Sequence, residues 1–160
     1  MLRALLRFAV PLLLLGASGA AAAPLPVQRY VSLRTGKAYL RQGPSYAHHV
    51  LWVYRHKGYP FAVTASFDIW RRLRAADGTV GWMSVQMLSD RRTVLITADG
   101  RSPIRAAPGP RARLVGLAEK GAIAEVKACR RDACEIAGDG IKGWIDKSRI
   151  WGVGRDETFR

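Results

Sequence analysis

The sequence predicts an all-β protein built as two tandem small barrels, and three observations carry that prediction. First, a set of landmarks recurs: Leu40-Arg41 with Gly43-Pro44 returns as Ile104-Arg105 with Pro108-Gly109, Lys57-Gly58 as Lys120-Gly121, and Gly78 with Gly81-Trp82-Met83 as Gly140 with Gly143-Trp144-Ile145. The offsets of 64, 63 and 62 residues keep order and spacing, with the drift that small loop deletions produce. Second, turn residues break the chain into short β-rich runs about every ten residues. Third, no stretch has the length, caps and 3.6-residue period of a long helix. Short strands at that spacing imply barrels, because closure hides the edges that would otherwise pair with other chains.

Taken in order, residues 1–22 read as a signal peptide. Arg3 and Arg7 supply a basic start, 8–15 an apolar core, and Ala20-Ala21-Ala22 a small-residue cleavage zone. The apolar run is far shorter than the roughly 20 residues a membrane-spanning helix needs, so no integral span is expected after cleavage. The first barrel is expected over 28–97. Within it, 61–67 is rich in β-formers, 70–74 alternates, and Asp77-Gly78 is a strong hairpin signal. A single 3₁₀ turn is expected near 84–87, before Leu88. Gly81 and Gly143 are read as close backbone approaches at a barrel corner, and the tryptophans that follow them, Trp82 and Trp144, as core plugs alongside Leu40.

The run 93–97 is β-branched and so is no flexible tether, which would be rich in Gly, Ser or Pro. It is expected to belong to one barrel or to bridge both, giving a compact pair. The second barrel is expected over 98–153. Its Cys129 and Cys134 lie close together, and in an oxidising compartment such a pair forms a disulfide across a hairpin turn. At an offset of 64 they stand where Ala65 and Trp70 stand in the first copy.

The leading strand Tyr39-Leu40-Arg41, then Gly43-Pro44-Ser45, Lys57-Gly58, the Trp70 strand, Asp77-Gly78, Gly81-Trp82 and a closing Leu88 resemble the bacterial SH3-like (SH3b) domain. The second copy departs from that pattern, with Ala106-Ala107 before Pro108-Gly109 and Cys134 where the strand tryptophan would be. The resemblance implies two tandem small SH3-like β-barrels in an exported protein of Gram-negative type. It also implies recognition of peptidoglycan peptide or another envelope polymer.

Composition narrows the function further. There are 26 Lys and Arg against 12 Asp and Glu, and removing Arg3 and Arg7 leaves 24 against 12, a net +12. Such a surplus attracts anionic partners at salt-dependent rates. Export takes nucleic acid out of the usual surroundings and leaves anionic envelope polymers and lipid headgroups, so no nucleic-acid partner is expected. A periplasmic or secreted location follows.

No catalytic machinery, metal site or cofactor is expected. The three histidines are His48, His49 and His56, and adjacent His48 and His49 point to opposite faces of an extended segment. The thiols are tied in the expected bridge, and the carboxylates are scattered. The ligand-binding candidates are Tyr39, Tyr46, Trp52, Tyr54, Trp70, Arg72 and Arg74, an excess of aromatics beside guanidinium groups. Alternation puts Trp70, Arg72 and Arg74 on one face and Leu73 on the other, in the core. Two readings of the aromatics stand at this point, a contact surface or packing between domains. Docking on another envelope protein and electrostatic adhesion to anionic lipid or lipopolysaccharide are the alternative functions.

Overall fold

The computed structural model describes residues 26–160, so the segment read as a signal peptide lies outside the described residues. Strands β1 (Arg29–Leu33), β2 (Ala38–Arg41), β3 (Val50–Tyr54), β4 (Pro60–Phe67), β5 (Trp70–Arg74), β6 (Val80–Ser84) and β7 (Leu88–Ser89) form one antiparallel sheet, in the order β3-β2-β6-β5-β4-β1-β7. Strands β8 (Thr93–Ile96), β9 (Ser102–Arg105), β10 (Leu114–Ala118), β11 (Ile123–Cys129), β12 (Ala133–Gly138), β13 (Ile141–Asp146) and β14 (Ile150–Trp151) form the second, in the order β10-β9-β13-β12-β11-β8-β14. Each strand of the first sheet has its counterpart at the same place in the second. The duplication read from the landmarks is thus a duplication of topology.

Each sheet coils around its own core. In the first, Leu33, Leu40, Tyr54, Phe61, Leu73, Met83 and Leu88 belong to one buried cluster, although their strands run from one end of the sheet to the other. One face of a flat sheet cannot bring its two ends together, so the sheet must curl. The second core, around Val94, Ile96, Ile104, Val126, Ile136 and Ile145, is built the same way. Closure by hydrogen bonds is absent among the described residues: β3 and β10 remain at sheet ends, with Val50, Leu51 and Trp52 exposed on one and Leu114 and Leu117 on the other.

Turn chemistry agrees with the local sequence. Asp139 and Gly140 both take positive φ, at 48° and 77°, as the two-residue link between β12 and β13 requires. The expected 3₁₀ turn spans Val85–Met87, with Ser84 accepting from the Gln86 amide, and a second at Lys147–Arg149 is capped by Asp146.

Several expectations are corrected by the register. Strand β8 is hydrogen-bonded to β11 and β14, so the division drawn at residue 97 moves to the stretch 90–92. The second unit also extends past 153, because Phe159 makes a β-bridge with Cys129. Trp82 and Trp144 are half-buried on the outer face, and the plugs are Met83 and Ile145. An added Cβ at Gly81 would lie 2.6 Å from Leu40 Cγ, so Gly81 faces the core. Neighbouring strand residues face opposite sides, which sends Trp82 outward and Met83 inward. Leu40 and Leu73 are fully buried, as expected.

The barrels meet along a small, specific junction. Thr93 Oγ1 donates to Gly58 O at 2.6 Å, and the Tyr30 and Trp151 rings pack edge to face with centroids 5.6 Å apart. Gly152, at φ 121°, lies so close to the Thr93 carbonyl that an added Cβ would sit 2.5 Å from it, and 3.1 Å from Pro60 Cβ.

Candidate functional site

The outer face of the first barrel is organised by Arg41. Strand β2 places Tyr39 and Arg41 outward, and β3 supports them until its bulge beside Arg41. The Arg41 Nη1 group donates to Tyr46 O at 3.0 Å and to His48 O at 2.9 Å, and Gln42 N–H donates to His49 O at 2.9 Å. Together with a 2.7 Å bond between Ser45 Oγ and His48 Nδ1, these contacts give the loop 43–49 a defined shape with Tyr46 at its tip. An added Cβ at Gly43 would lie within 2.7 Å of three His48 ring atoms, so any side chain there would push that ring aside and break its contact with Ser45.

The result is a run of aromatic and guanidinium groups. The Arg41 guanidinium lies 5.9 Å from the Tyr39 ring centroid and 5.7 Å from that of Tyr46, within cation–π range of both. Tyr46 in turn packs edge-on against Trp70 at 4.9 Å. Across the sheet, Trp82 pairs with Arg41 on one side and Arg72 on the other, so an outward row Arg41–Trp82–Arg72 crosses β2, β6 and β5. Lys37 lies 5.2 Å from the Tyr39 ring, and its hydrogen bond and charge hold the Tyr39 phenol below its usual pKa. This face presents flat ring surface and positive charge together, suited to a polar ligand carrying anionic groups.

The seven expected site residues therefore separate. Tyr39 and Tyr46 are open to solvent, at 41% and 63% exposure, and Arg72 shares their face. Trp52 is 57% exposed but stands opposite Leu40, on the other face of β3, where the strand runs beyond the core. Trp70 is only 5% exposed, because Tyr46 covers it; its place is a platform beneath the loop. Tyr54 is 7% exposed and belongs to the core beside Phe61 and Tyr59, where burial pushes its phenol pKa upward. Arg74 lies at the other end of β5, close enough to act on the Tyr30 phenol at the junction. The sequence reading passed over Arg41 as the organising residue, although its echo as Arg105 was visible in the repeat.

The second copy keeps the frame and changes the face. Arg105 pairs with Trp144 as Arg41 does with Trp82, and donates to Ala112 O at 2.8 Å to hold the loop before β10. Glu135 occupies the place of Arg72, and no aromatic matches Tyr46 or Tyr39. The disulfide joins Cys129 and Cys134, whose Cα atoms are 4.1 Å apart. By strand register these positions correspond to Ser66 and Arg71, not to Ala65 and Trp70: Ala65 faces Arg72 and Trp70 faces Phe67. Both cysteines are consumed by this bridge. No group of His, Cys, Asp and Glu suited to a metal ion occurs among the described residues, and no helix among them is long and apolar enough to cross a membrane.

A family model described as the bacterial SH3 domain matches the chain twice, over residues 35–90 and 98–152. No curated protein matches. Among solved structures, NlpC2 from Trichomonas vaginalis is 12% identical with a TM-score of 0.35, the match covering 79% of this chain and 49% of that one. NlpC1 from Trichomonas vaginalis is 12% identical with a TM-score of 0.37, covering 82% and 48%. An NlpC/P60 family protein from Bacillus cereus ATCC 10987 is 10% identical with a TM-score of 0.35, covering 76% and 55%. The chain spans about half the length of these structures.

Proposed function

The chain belongs to the bacterial SH3 domain family through both of its halves, and from that premise we propose that it is an exported, non-catalytic module that binds a cell-envelope ligand with the outer face of its first barrel. The ligand class is peptidoglycan peptide or another anionic envelope polymer. Tyr39, Arg41, Tyr46, Trp82 and Arg72 form the contact, with Trp70 as the support under Tyr46. The observation that carries this reading is the pair of exposed rings, Tyr39 and Tyr46, set 5.9 and 5.7 Å from one guanidinium that also fixes the loop. Stacking surface beside a bidentate donor suits a polymer with both ring-like and charged parts. The disulfide and the basic, small-residue-terminated leader support passage to an oxidising compartment, periplasmic or extracellular.

The test is a titration of the intact two-barrel protein with soluble peptidoglycan fragments, followed by amide shifts. Tyr39→Ala with Tyr46→Ala is expected to weaken binding by about tenfold or more, since aromatic anchors that a ligand covers dominate contact energies. Unchanged affinity in a folded double variant would sink the site. The net charge of the chain favours a second reading, electrostatic adhesion to anionic lipid or lipopolysaccharide. Salt separates the two: adhesion collapses as ionic strength rises, whereas ring contacts hold.

A further inference from the structure

The second barrel carries a different constellation around its outward tryptophan. Arg130 lies with its guanidinium 5.1 Å from the Trp144 ring centroid. With Arg131 it occupies the turn between β11 and β12, and the Cys129–Cys134 bridge closes that turn at its base. The same base is fixed from outside by the C-terminal tail, where Cys129 and Phe159 exchange backbone hydrogen bonds of 2.9 and 3.1 Å. Between this turn and the loop at Pro108 and Pro110 runs a groove of about 530 Å³, walled by Trp144 and lined by Arg105, Arg130, Arg131 and Arg149.

Four guanidinium groups in one groove repel one another unless carboxylates answer them. Asp132 and Asp146 also line it and offset part of that charge, leaving four guanidinium groups against two carboxylates; Asp146 Oδ1 in addition accepts from the Ser148 amide at 2.8 Å and the Ser148 hydroxyl at 2.7 Å, capping the 3₁₀ turn. The chain's ion pairs lie elsewhere, at Arg29–Asp90, Arg92–Glu157, Arg101–Glu119, Lys120–Asp99, Lys127–Glu125 and Lys142–Glu135. None of the four groove arginines has a carboxylate within salt-bridge distance among the described residues. A disulfide-closed turn fixes the backbone that carries two of them, so little loop ordering remains to oppose binding.

We propose that this groove binds an oxyanion, phosphate or carboxylate, on a ligand whose ring or apolar part rests on Trp144 and the prolines. Guanidinium groups grip both oxyanions through paired N–H donors. The site is independent of the aromatic face of the first barrel.

Two probes separate the sources of the oxyanion: inorganic diphosphate and citrate, each titrated into the intact protein at about 0.15 M salt. The expected result is a saturable shift of the Trp144 indole N–H and of the Arg130 and Arg131 Nε–H signals. Saturation with diphosphate alone assigns a phosphate ligand, with citrate alone a carboxylate, and with both an unselective oxyanion site; each supports the proposal. The Arg130→Gln, Arg131→Gln double variant is expected to weaken binding at least about tenfold. A control of matched charge, Arg55→Gln with Lys57→Gln in the first barrel, should change it by no more than about twofold. The changes lie on exposed side chains, and retained core amide shifts confirm that each variant folds. If neither probe moves Trp144, or the control loses as much affinity as the groove variant, the proposal is overturned.

Discussion

Gly81, Trp82 and Met83 are three consecutive residues with three different surroundings. An added Cβ at Gly81 would meet Leu40 Cγ at 2.6 Å and the Arg41 carbonyl at 2.8 Å, while Trp82 faces outward between Arg41 and Arg72 and Met83 is buried. Side-chain size therefore predicts stability wrongly here. Met83→Ala is expected to cost about 2–5 kcal/mol, as buried truncations do. Trp82→Ala should cost clearly less, although it deletes more atoms; urea denaturation of the two variants checks the order. The parity that decides this was available in the sequence, because glycine that must face inward forces its neighbour outward. Leu73 was legible from the same alternation along its own strand. Tyr54 was not: its place in the core follows from standing opposite Ala38, and a register between strands is invisible in local pattern.

The β11–β12 hairpin and its counterpart β4–β5 solve one turn in two ways. In the first barrel Ser66 faces Arg71 with nothing covalent between them, and in the second Cys129 faces Cys134 and is bonded to it. Closing so short a loop contributes about 2 kcal/mol in the chain-entropy model. Reduction of the intact protein is therefore expected to lower stability by about that amount and to loosen the second barrel first, read as faster amide exchange in β11 and β12 than in β4 and β5. The first barrel has no covalent link to lose. Equal acceleration in both hairpins would contradict this. The spacing of the cysteines announced the hairpin from the sequence, whereas the landmark offset misplaced its equivalents by one residue. Loop deletions change the offset along the chain, and only the ladder fixes which residues face each other.

At the level of the whole molecule, one arginine ties three segments together. Arg92, in the connection between the sheets, donates to both Glu157 oxygens at 2.7 and 3.0 Å and to Gly152 O at 3.3 Å. Its guanidinium also lies 5.7 Å from the Tyr30 ring of the first barrel and 5.1 Å from the Phe159 ring of the tail. The Arg92 hydrogen bonds hold the Glu157 carboxyl below its usual pKa, helped by the Gly154 amide at 2.8 Å. A carboxyl depressed in the folded state contributes stability that is complete above its unfolded pKa, about 4.3, and that is lost as pH falls through the lower folded value. Acid is accordingly expected to release the tail first, with Phe159 and Cys129 amide signals changing below about pH 4 while the β1–β4 ladder holds. Glu157→Gln removes the ionisable group, so the same signals should start shifted at neutral pH and lose their acid step. With the tail gone, Arg92 loses its Glu157 and Phe159 partners, and the junction rests on the Tyr30–Trp151 edge-to-face contact, the Thr93–Gly58 bond and the close approach of Gly152 to Pro60, a small interface that lets the barrels reorient. Rotational correlation times should then fall from that of a single body at neutral pH toward those of two separate barrels in acid. A single body at both pH values would show that the junction does not depend on Arg92 and Glu157.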